Sequence, residues 1–284
     1  MNKRIPILIA VLCALVAPAF AQDKSTYAER LGFPKGARVV LFHNDDAGMS
    51  LGQNDGSIKA LEYGLITSVS TMMPCPWVSH FANWLKENPN VDNGLHLTLT
   101  SEWRGYRWGP VAGKAAVPGL VDPDGCLWSN VISVATHASA EEVDKEIRAQ
   151  LDRALTLGIP ITHLDTHMGT LYAKPEYTEA YVKLGIEKQI PIMIMGGHLQ
   201  FIGEDEQDIV KQLQVTQLAE KVWQGGLPVL DDLLNRTYGW KTFDEKKANL
   251  LKALGEMRPG LTMVIFHCAQ PTDEWEHFTT SSET

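Results

Sequence analysis

The stretch RVVLFHNDDAGMS, residues 38–50, decides the fold of this 284-residue chain. Its first part, Arg38 to His43, is a short apolar run of the kind that forms a buried strand in a parallel sheet. Polar residues follow at once, and Gly48 allows the chain to turn after them. The next segment, Leu51 to Tyr63, has a helical pattern and stops at Gly64, a residue type that commonly ends helices. The stretch therefore predicts a strand that leads into a helix, with polar side chains between them.

The same alternation of strand and helix continues along the chain. Further strands are predicted at Ile66 to Met73, Gly94 to Thr100, Ile161 to Thr166, Pro191 to Met195 and Leu261 to Phe266. Further helices are predicted from Ser139 to Gly158, Pro175 to Gln189, Asp205 to Trp223 and Thr242 to Arg258. This spacing indicates an α/β fold with a parallel sheet. A closed or distorted (β/α) barrel and an open doubly wound sheet both fit, although no G-x-G-x-x-G motif supports a dinucleotide-binding sheet.

The first 21 residues have the features of a secretory signal peptide. Lys3 and Arg4 form a basic start, and Ile7 to Val16 is an apolar stretch too short to span a bilayer comfortably. Ala19 to Ala21 then forms a small-x-small cleavage site. We expect cleavage after Ala21, export to the periplasm or the exterior, and no stable membrane anchor on the mature chain. An uncleaved anchor is the alternative.

The remaining residues, 22–284, are expected to form a single domain. Loss of two cations with the leader changes the formal charge from −9 to −11. An acidic chain with no dominant basic region is a poor partner for nucleic acid or an anionic lipid surface. The three remaining cysteines, Cys75, Cys126 and Cys268, permit at most one disulfide, and none has a C-x-x-C partner. A cysteine-bound zinc ion is therefore not expected.

One segment interrupts the alternation. Residues Ser101 to Asn130 are rich in Gly, Pro and Trp, and a long loop in a compact domain is usually functional. Its aromatic residues include Trp103, Tyr106, Trp108 and Trp128. These rings could stack on a ligand beside an active site. The alternative is a small hydrophobic cluster packed under the loop.

Histidines and aspartates gather at four of the predicted strands. They are His43, Asp45 and Asp46 after the first strand, His96 within the strand that starts at Gly94, the set His163, Asp165 and His167, and His267 after the last strand. In α/β barrels the active site is built where the carboxyl ends of the strands meet. The sequence therefore predicts that these side chains converge on one site.

Each of these groups has a second interpretation. Adjacent carboxylates at Asp45 and Asp46 repel each other unless a cation or proton intervenes, but they could also form a solvated acidic turn. His163, Asp165 and His167 would share one strand face, and burying all three is costly unless something binds them. His96 could be a core histidine that is hydrogen-bonded within the fold.

One carboxylate with two imidazoles is a common ligand set for Zn²⁺ or another divalent ion. It also resembles the facial triad of iron oxygenases, so the ligand types alone do not fix the reaction.

The motifs HNDDAGMS, GLHLTLT, THLDTH and IFH, in this order and at this spacing, resemble those of the YdjC-like (ChbG-type) carbohydrate deacetylases. PGLVDPDG in the long segment matches as well, and the resemblance runs from about Val39 to His267. It implies a distorted (β/α) barrel with parallel strands and a long Trp-rich loop at the active site. It also implies removal of acetyl groups from N-acetylated sugars with one divalent metal ion, Mg²⁺ or Zn²⁺.

Matched residue by residue, the resemblance makes Asp46, His96 and His167 the metal ligands and Asp45 the catalytic base. His267 falls at the strand-end histidine, a candidate acid for the leaving amine. The other residues expected to contact the substrate or support the ligands are His43, His163, Asp165, Trp103, Trp108 and Trp128.

The sequence also departs from the family. Met168 to Tyr172 stand where further histidines are common, which bears on substrate identity, and His43 replaces a residue that is usually small. Only 17 residues follow His267, where family members continue through a further helix and strand. We therefore expect the sequence to be C-terminally incomplete.

The resulting hypothesis is metal-assisted amide hydrolysis. The alternatives are another metallohydrolase that acts on a phosphoester or a peptide amide, a non-catalytic exported sugar-binding protein, and an iron oxygenase. An intact Asp45 argues against pure sugar binding, since a binding protein would have no need of a base.

Overall fold

A computed structural model of the protein describes residues 25–202, 209–237 and 240–281. The predicted signal peptide and the first residues of the helix predicted from Asp205 lie outside the described residues. In the described ranges, no helix is both long enough and apolar enough to cross a membrane. Cys75, Cys126 and Cys268 are all free thiols.

Six parallel strands form the sheet. They are β1 (Arg38–Ala47), β2 (Ser68–Thr71), β3 (Asn93–Leu97), β4 (Leu164–Thr166), β5 (Asp232–Leu234) and β6 (Gly260–Phe266). Their order across the sheet is β4-β3-β2-β1-β6-β5. The helices are α1 (Tyr27–Arg30), α2 (Leu51–Glu62), α3 (Val78–Glu87), α4 (Val131–His137), α5 (Ala140–Thr156), α6 (Pro175–Lys188), α7 (Ile209–Gln224), α8 (Phe243–Glu256) and α9 (Asp273–Ser281). Short 3-10 segments occupy Pro118–Leu120 and His167–Tyr172.

The segment predicted as a strand from Pro191 to Met195 joins the two edges of the sheet. It makes only isolated bridges, from Ile192 to Leu164 beside β4 and from Met195 to Leu230 just before β5. Four backbone hydrogen bonds of 2.8–2.9 Å accompany these bridges. The structure is therefore the distorted (β/α) barrel of the sequence prediction, and the open doubly wound sheet is wrong. The distortion arises because one unit contributes bridges instead of a regular strand.

The first strand is longer than its apolar run, and its end is bulged. It continues from His43 to Ala47, and its pairing with β2 shifts register between Asn44 and Ala47. Asp46 takes a left-handed backbone conformation, with φ of 68°. A bulge of this kind redirects side chains that a regular strand would send to opposite faces. Asp45 and Asp46 can therefore both reach the same end of the barrel.

Apolar side chains fill both sides of β6. Leu261, Met263 and Ile265 pack with Met193 and Leu230 in one cluster inside the barrel. Residues on the opposite face of the strand, with helix α8, form a second cluster outside it. Burying apolar surface on both faces is what a parallel strand requires, and it places the polar residues at the strand ends.

Several elements were missed in the sequence. Helix α3 buries Val78, Phe81, Ala82 and Leu85, whose spacing is that of an amphipathic helix and could have revealed it. Helix α9 follows His267, and β5 has only three residues, which is too short for a periodic signal.

The long segment Ser101 to Asn130 is a loop, as predicted, and buried polar contacts hold it in place. Glu146 of α5 accepts hydrogen bonds of 2.9 Å from the backbone N–H groups of Val111 and Ala112. Arg107 donates to the carboxylate of Asp122 within the loop, at 2.7 Å. These contacts give the loop a defined path although it has no strands of its own.

A single buried carboxylate connects α1 to the barrel. Asp231 accepts hydrogen bonds from Tyr27 N (2.9 Å), Ala28 N (3.0 Å) and Leu261 N (2.8 Å). We expect Asp231→Ala to lower the free energy of unfolding by about 2–4 kcal/mol, because buried donors lose their acceptor. Urea denaturation measures the loss. The exposed control Asp152→Ala should change stability by less than about 0.5 kcal/mol. Equal effects of the two substitutions would contradict the assigned role of Asp231.

Candidate metal centre

Three ligand-type side chains meet at the carboxyl ends of β1, β3 and β4. They are Asp46 from the bulge of β1, His96 from β3, and His167 from the residue that follows β4, and all three are buried. Asp46 Oδ1 lies 3.3 Å from His96 Nε2 and 3.3 Å from His167 Nδ1. The two imidazole nitrogens are also 3.3 Å apart. The sequence prediction that these residues converge is therefore realised in the structure.

The triangle has the dimensions of a metal ligand set. Ligand atoms at about 2.0–2.1 Å from a tetrahedral Zn²⁺ lie about 3.3 Å from one another. Asp46 Oδ1 is buried and has no hydrogen-bond partner in the described part of the chain. A buried acceptor in that state is costly unless a cation or donor satisfies it. The three residues therefore fit a divalent ion and could hold one.

A carboxylate outside the triangle orients each histidine. His96 Nδ1 lies 2.6 Å from Asp165 Oδ1, and His167 Nε2 lies 3.1 Å from both oxygens of Glu102. Since a carboxylate accepts, these outward nitrogens carry protons, so the inward nitrogens are the ones that could offer their lone pairs to an ion. Carboxylate–histidine pairs of this kind are typical around metal ions, where they fix the ring and make it a better ligand.

In the metal-free protein, the close contacts between carboxylates and imidazoles shift the pKa values of the three triangle residues. Burial alone would raise the pKa of Asp46, but contacts with His167 and His96 hold it well below its usual range. Burial would lower the pKa of His96, yet Asp165 and Asp45 keep it well above 6.5. Against the same effect of burial, Glu102 and Asp46 raise the pKa of His167 to about 9. Without a metal ion, protons therefore offset the negative charge at this centre.

His43 lies beneath the centre and is completely buried. Its Nδ1 contacts Ser68 Oγ, and its Nε2 lies 2.9 Å from Asp165 Oδ2 and 3.1 Å from Asp45 Oδ1. Burial alone would lower the pKa of His43, but the two carboxylates outweigh it and raise the pKa to about 9. Asp165 thus contacts His43 through one oxygen and His96 through the other. Its own pKa is lowered, because the two imidazoles outweigh the effect of burial.

The predicted common face of His163, Asp165 and His167 is only partly correct. Strand β4 has three residues, so His163 precedes it and His167 begins the 3-10 segment. Asp165 lies between the two, in contact with His96 and His43, while His163 packs edge-on against His43 with ring centroids 5.1 Å apart. Its Nδ1 is 3.5 Å from Asp92. His163 is therefore placed with His43, away from the triangle.

Two further residues, Asp45 and His267, lie beside the triangle. Asp45 Oδ2 is 3.9 Å from His96 Nε2 and 4.0 Å from His267 Nε2. His267 Nε2 is also 3.8 Å from Asp46 Oδ2, and its side chain is 30% exposed. The structure thus gathers a second carboxylate and a solvent-accessible imidazole at the centre.

The three tryptophans proposed to contact substrate take part in packing. Trp108 is buried and its Nε1 donates to Thr100 O at 2.9 Å. Trp128 stacks on His137 with ring centroids 4.2 Å apart, and Trp103 packs edge-on against Phe278 at 5.0 Å. Trp108 thus belongs to the hydrophobic cluster of the alternative interpretation, whereas Trp103 and Trp128 pack against that cluster and remain half-buried.

Glu102 was missed in the sequence. It contacts His167 from the first residues of the long loop, immediately after the segment that contains His96. The signal in the sequence that points to it is an acidic residue next to a strand that carries a predicted ligand.

Comparisons with known proteins agree with this architecture. A model of the family described as YdjC-like protein matches residues 39–284. A carbohydrate deacetylase of Thermus thermophilus is 31% identical over 246 residues, which cover 87% of this chain and 83% of that protein. A chitooligosaccharide deacetylase of Yersinia enterocolitica is 30% identical over 161 residues, covering 55% of this chain and 59% of the relative.

A solved structure supports the fold as well. The crystal structure of an Enterococcus faecalis V583 protein, described as a candidate cellobiose-phosphate cleavage protein, superposes with a TM-score of 0.69. The sequence identity is 21%, and the match covers 85% of each chain. At this identity the likeness concerns the fold alone.

The contacts of His43 predict a pH dependence of the metal-free protein. Because its folded-state pKa is about 9, above the ordinary 6.5, protonated His43 stabilises the fold fully below pH 6.5. That stabilisation should be lost as the pH rises through about 9. Ring resonances in an NMR titration, assigned by their absence in His43→Gln, check the value. A His43 ring that titrates at or below pH 6.5 would contradict the proposed pairing with Asp165 and Asp45.

Proposed function

The chain belongs to the YdjC-like protein family, and we propose that it is a metal-dependent carbohydrate deacetylase that hydrolyses the acetamide of an N-acetylated sugar. The observation that carries the proposal is the buried triangle of Asp46, His96 and His167, with Asp45 beside it. The names of the Thermus and Yersinia relatives support the reaction and the class of substrate.

Asp46, His96 and His167 would hold the ion. A divalent ion bound there supplies a Lewis acid that polarises an amide carbonyl and lowers the pKa of water. Two imidazoles in the ligand set favour Zn²⁺ over Mg²⁺, which prefers oxygen ligands. Asp165 and Glu102 keep the two rings in the tautomers that ligation requires.

Asp45 is the proposed general base. Its Oδ1 lies 3.1 Å from His43, which leaves Oδ2 directed toward His96 and His267. At that position Oδ2 takes the proton of the attacking water while the water oxygen bonds to the acetamide carbon. His43 stays outside the reaction and holds the base in this orientation.

His267 is the proposed general acid. Its Nε2 is 4.0 Å from Asp45 Oδ2, and its partial exposure allows a substrate to reach it. When the carbon–nitrogen bond breaks, His267 protonates the departing amine, and acetate and the free amino sugar are the products. Base and acid thus stand next to each other at one side of the ligand triangle.

Acetate release from N-acetylglucosamine oligomers tests the function. We expect release by the Zn²⁺-loaded protein, loss of release after a chelator, and recovery when Zn²⁺ is returned, because the ion polarises the scissile carbonyl. Folded, metal-loaded protein that releases no acetate from any acetylated amino sugar would refute the proposal.

Asp45→Asn separates the base from the ligands in the same assay. The variant should retain Zn²⁺ while its rate falls by about 10²–10⁴-fold, which is the usual contribution of a general base. Asp152→Asn, the same change at an exposed position of α5, should leave both quantities unchanged. If Asp45→Asn loses the metal instead, Asp45 is a ligand and not the base.

We further propose that the protein is exported, on the strength of residues 1–21. The mature protein recovered outside the cytoplasm should begin at Gln22, because Ala19 to Ala21 forms the cleavage site. Its intact mass checks this directly. A recovered chain that still carries residues 1–21 would exclude cleavage.

A further inference from the structure

We propose that Glu102 is a positioning residue that sets the metal affinity of His167, and that helix α9 holds Glu102 in place through the aromatic residues of the long loop. The inference rests on the proposed metal centre. It extends the role of Glu102 from the tautomer of His167 to the metal affinity, and it assigns a role to helix α9, which the proposed reaction does not use.

The first step is the contact between Glu102 and the imidazole. Both carboxylate oxygens lie 3.1 Å from His167 Nε2, the nitrogen that points away from the triangle. In the described residues no other hydrogen-bond partner of this nitrogen is found. Glu102 therefore determines which nitrogen of His167 keeps its proton, and it leaves Nδ1 free to act as a ligand.

The second step is that His167 lies outside the strand pairing of the sheet. The residue follows β4, and the next two residues, Met168 and Gly169, both take left-handed conformations with φ of 53° and 64°. His96, by contrast, lies within β3 and is paired with Asp165 of the neighbouring strand. Of the two histidines, His167 thus depends more on its side-chain partner for orientation.

The third step connects Glu102 to the end of the chain. Trp103, the next residue, packs on Phe278 of α9 with ring centroids 5.0 Å apart, and Tyr106 stacks on the same ring at 4.8 Å. Phe278 is buried. Helix α9 is itself attached to the barrel, because Glu274 accepts hydrogen bonds from Trp77 Nε1 (2.7 Å) and Leu51 N (3.1 Å). Glu102 is therefore held by a helix that follows the last strand of the barrel.

Metal affinity is the direct test. Competition with a chromophoric chelator at fixed pH gives the Zn²⁺ affinity of the full chain without any turnover. We expect Glu102→Gln, which keeps the size but removes the charge, to weaken Zn²⁺ binding by about 10–100-fold. Glu102→Asp keeps the carboxylate and should recover part of the affinity. Circular dichroism of the metal-free variants should show the wild-type fold, since Glu102 is 24% exposed on a loop and its loss leaves the barrel intact.

The matched control is Asp124→Asn, which removes one carboxylate from an exposed position of the same loop. It should leave the Zn²⁺ affinity unchanged, so that a general loss of negative charge cannot explain the effect of Glu102→Gln.

A double-mutant cycle tests the part played by α9. Phe278→Leu should weaken Zn²⁺ binding less than Glu102→Gln does, and it should have little further effect when Glu102 is already Gln. Fully additive losses would show that α9 does not act through Glu102.

The same measurements distinguish a failure of the role of Glu102 from a failure of the proposed metal centre. A wild-type protein that binds Zn²⁺ while Glu102→Gln binds it equally well would overturn this inference and leave the proposed function standing. A wild-type protein that binds no divalent ion would overturn the metal centre itself, and both proposals with it.

Discussion

Three ligand-type atoms lie 3.3 Å from one another at the carboxyl ends of the strands, and the conformations of the surrounding residues depend on this close approach. Asp46 Oδ1, His96 Nε2 and His167 Nδ1 come from separate strand ends, and bringing their lone pairs together in a buried place is unfavourable without a positive charge between them. Two backbone irregularities allow it. The bulge and left-handed turn at Asp46 bring its carboxylate inward, and the left-handed residue after His167 redirects the chain just beyond that imidazole. Strained conformations of this kind persist only where surrounding contacts support them.

The support is a chain of alternating charges beneath the triangle. His43 contacts Asp45 and Asp165, and Asp165 in turn contacts His96. Every member is buried, so each imidazole compensates a carboxylate that would otherwise be left unpaired in a poorly polarisable interior. The arrangement ties the orientation of the proposed base to that of a proposed ligand through a single shared carboxylate. His43 makes that connection.

The meeting of the three triangle residues could be predicted from the sequence, because each residue is identified by the short stretch of chain around it. Asp46, His96 and His167 each follow or occupy a recognisable strand, and parallel strands place their carboxyl ends together whatever the details of packing. Three features lacked such a signal. The bridges at Ile192 and Met195 depend on how the barrel closes, and the partnership of Glu102 with His167 joins residues 65 positions apart in sequence. The burial of Trp108 could not be distinguished from ligand stacking, since an apolar ring suits a core and a binding surface equally well.

The aromatic residues of the long loop make contacts within the protein that the sequence alone does not predict. The sequence predicts that the tryptophans of the loop contact a substrate, and in the structure Trp103, the residue next to Glu102, is half-buried and packs on Phe278. The aromatic cluster therefore supports the chain next to Glu102, the partner of the proposed ligand His167. His267 and Met168 remain exposed beside the triangle, the first at 30% and the second at 49%. A ligand that approaches the triangle from this side therefore meets a polar imidazole and a flexible thioether, and the thioether can adapt to the shape of an apolar surface.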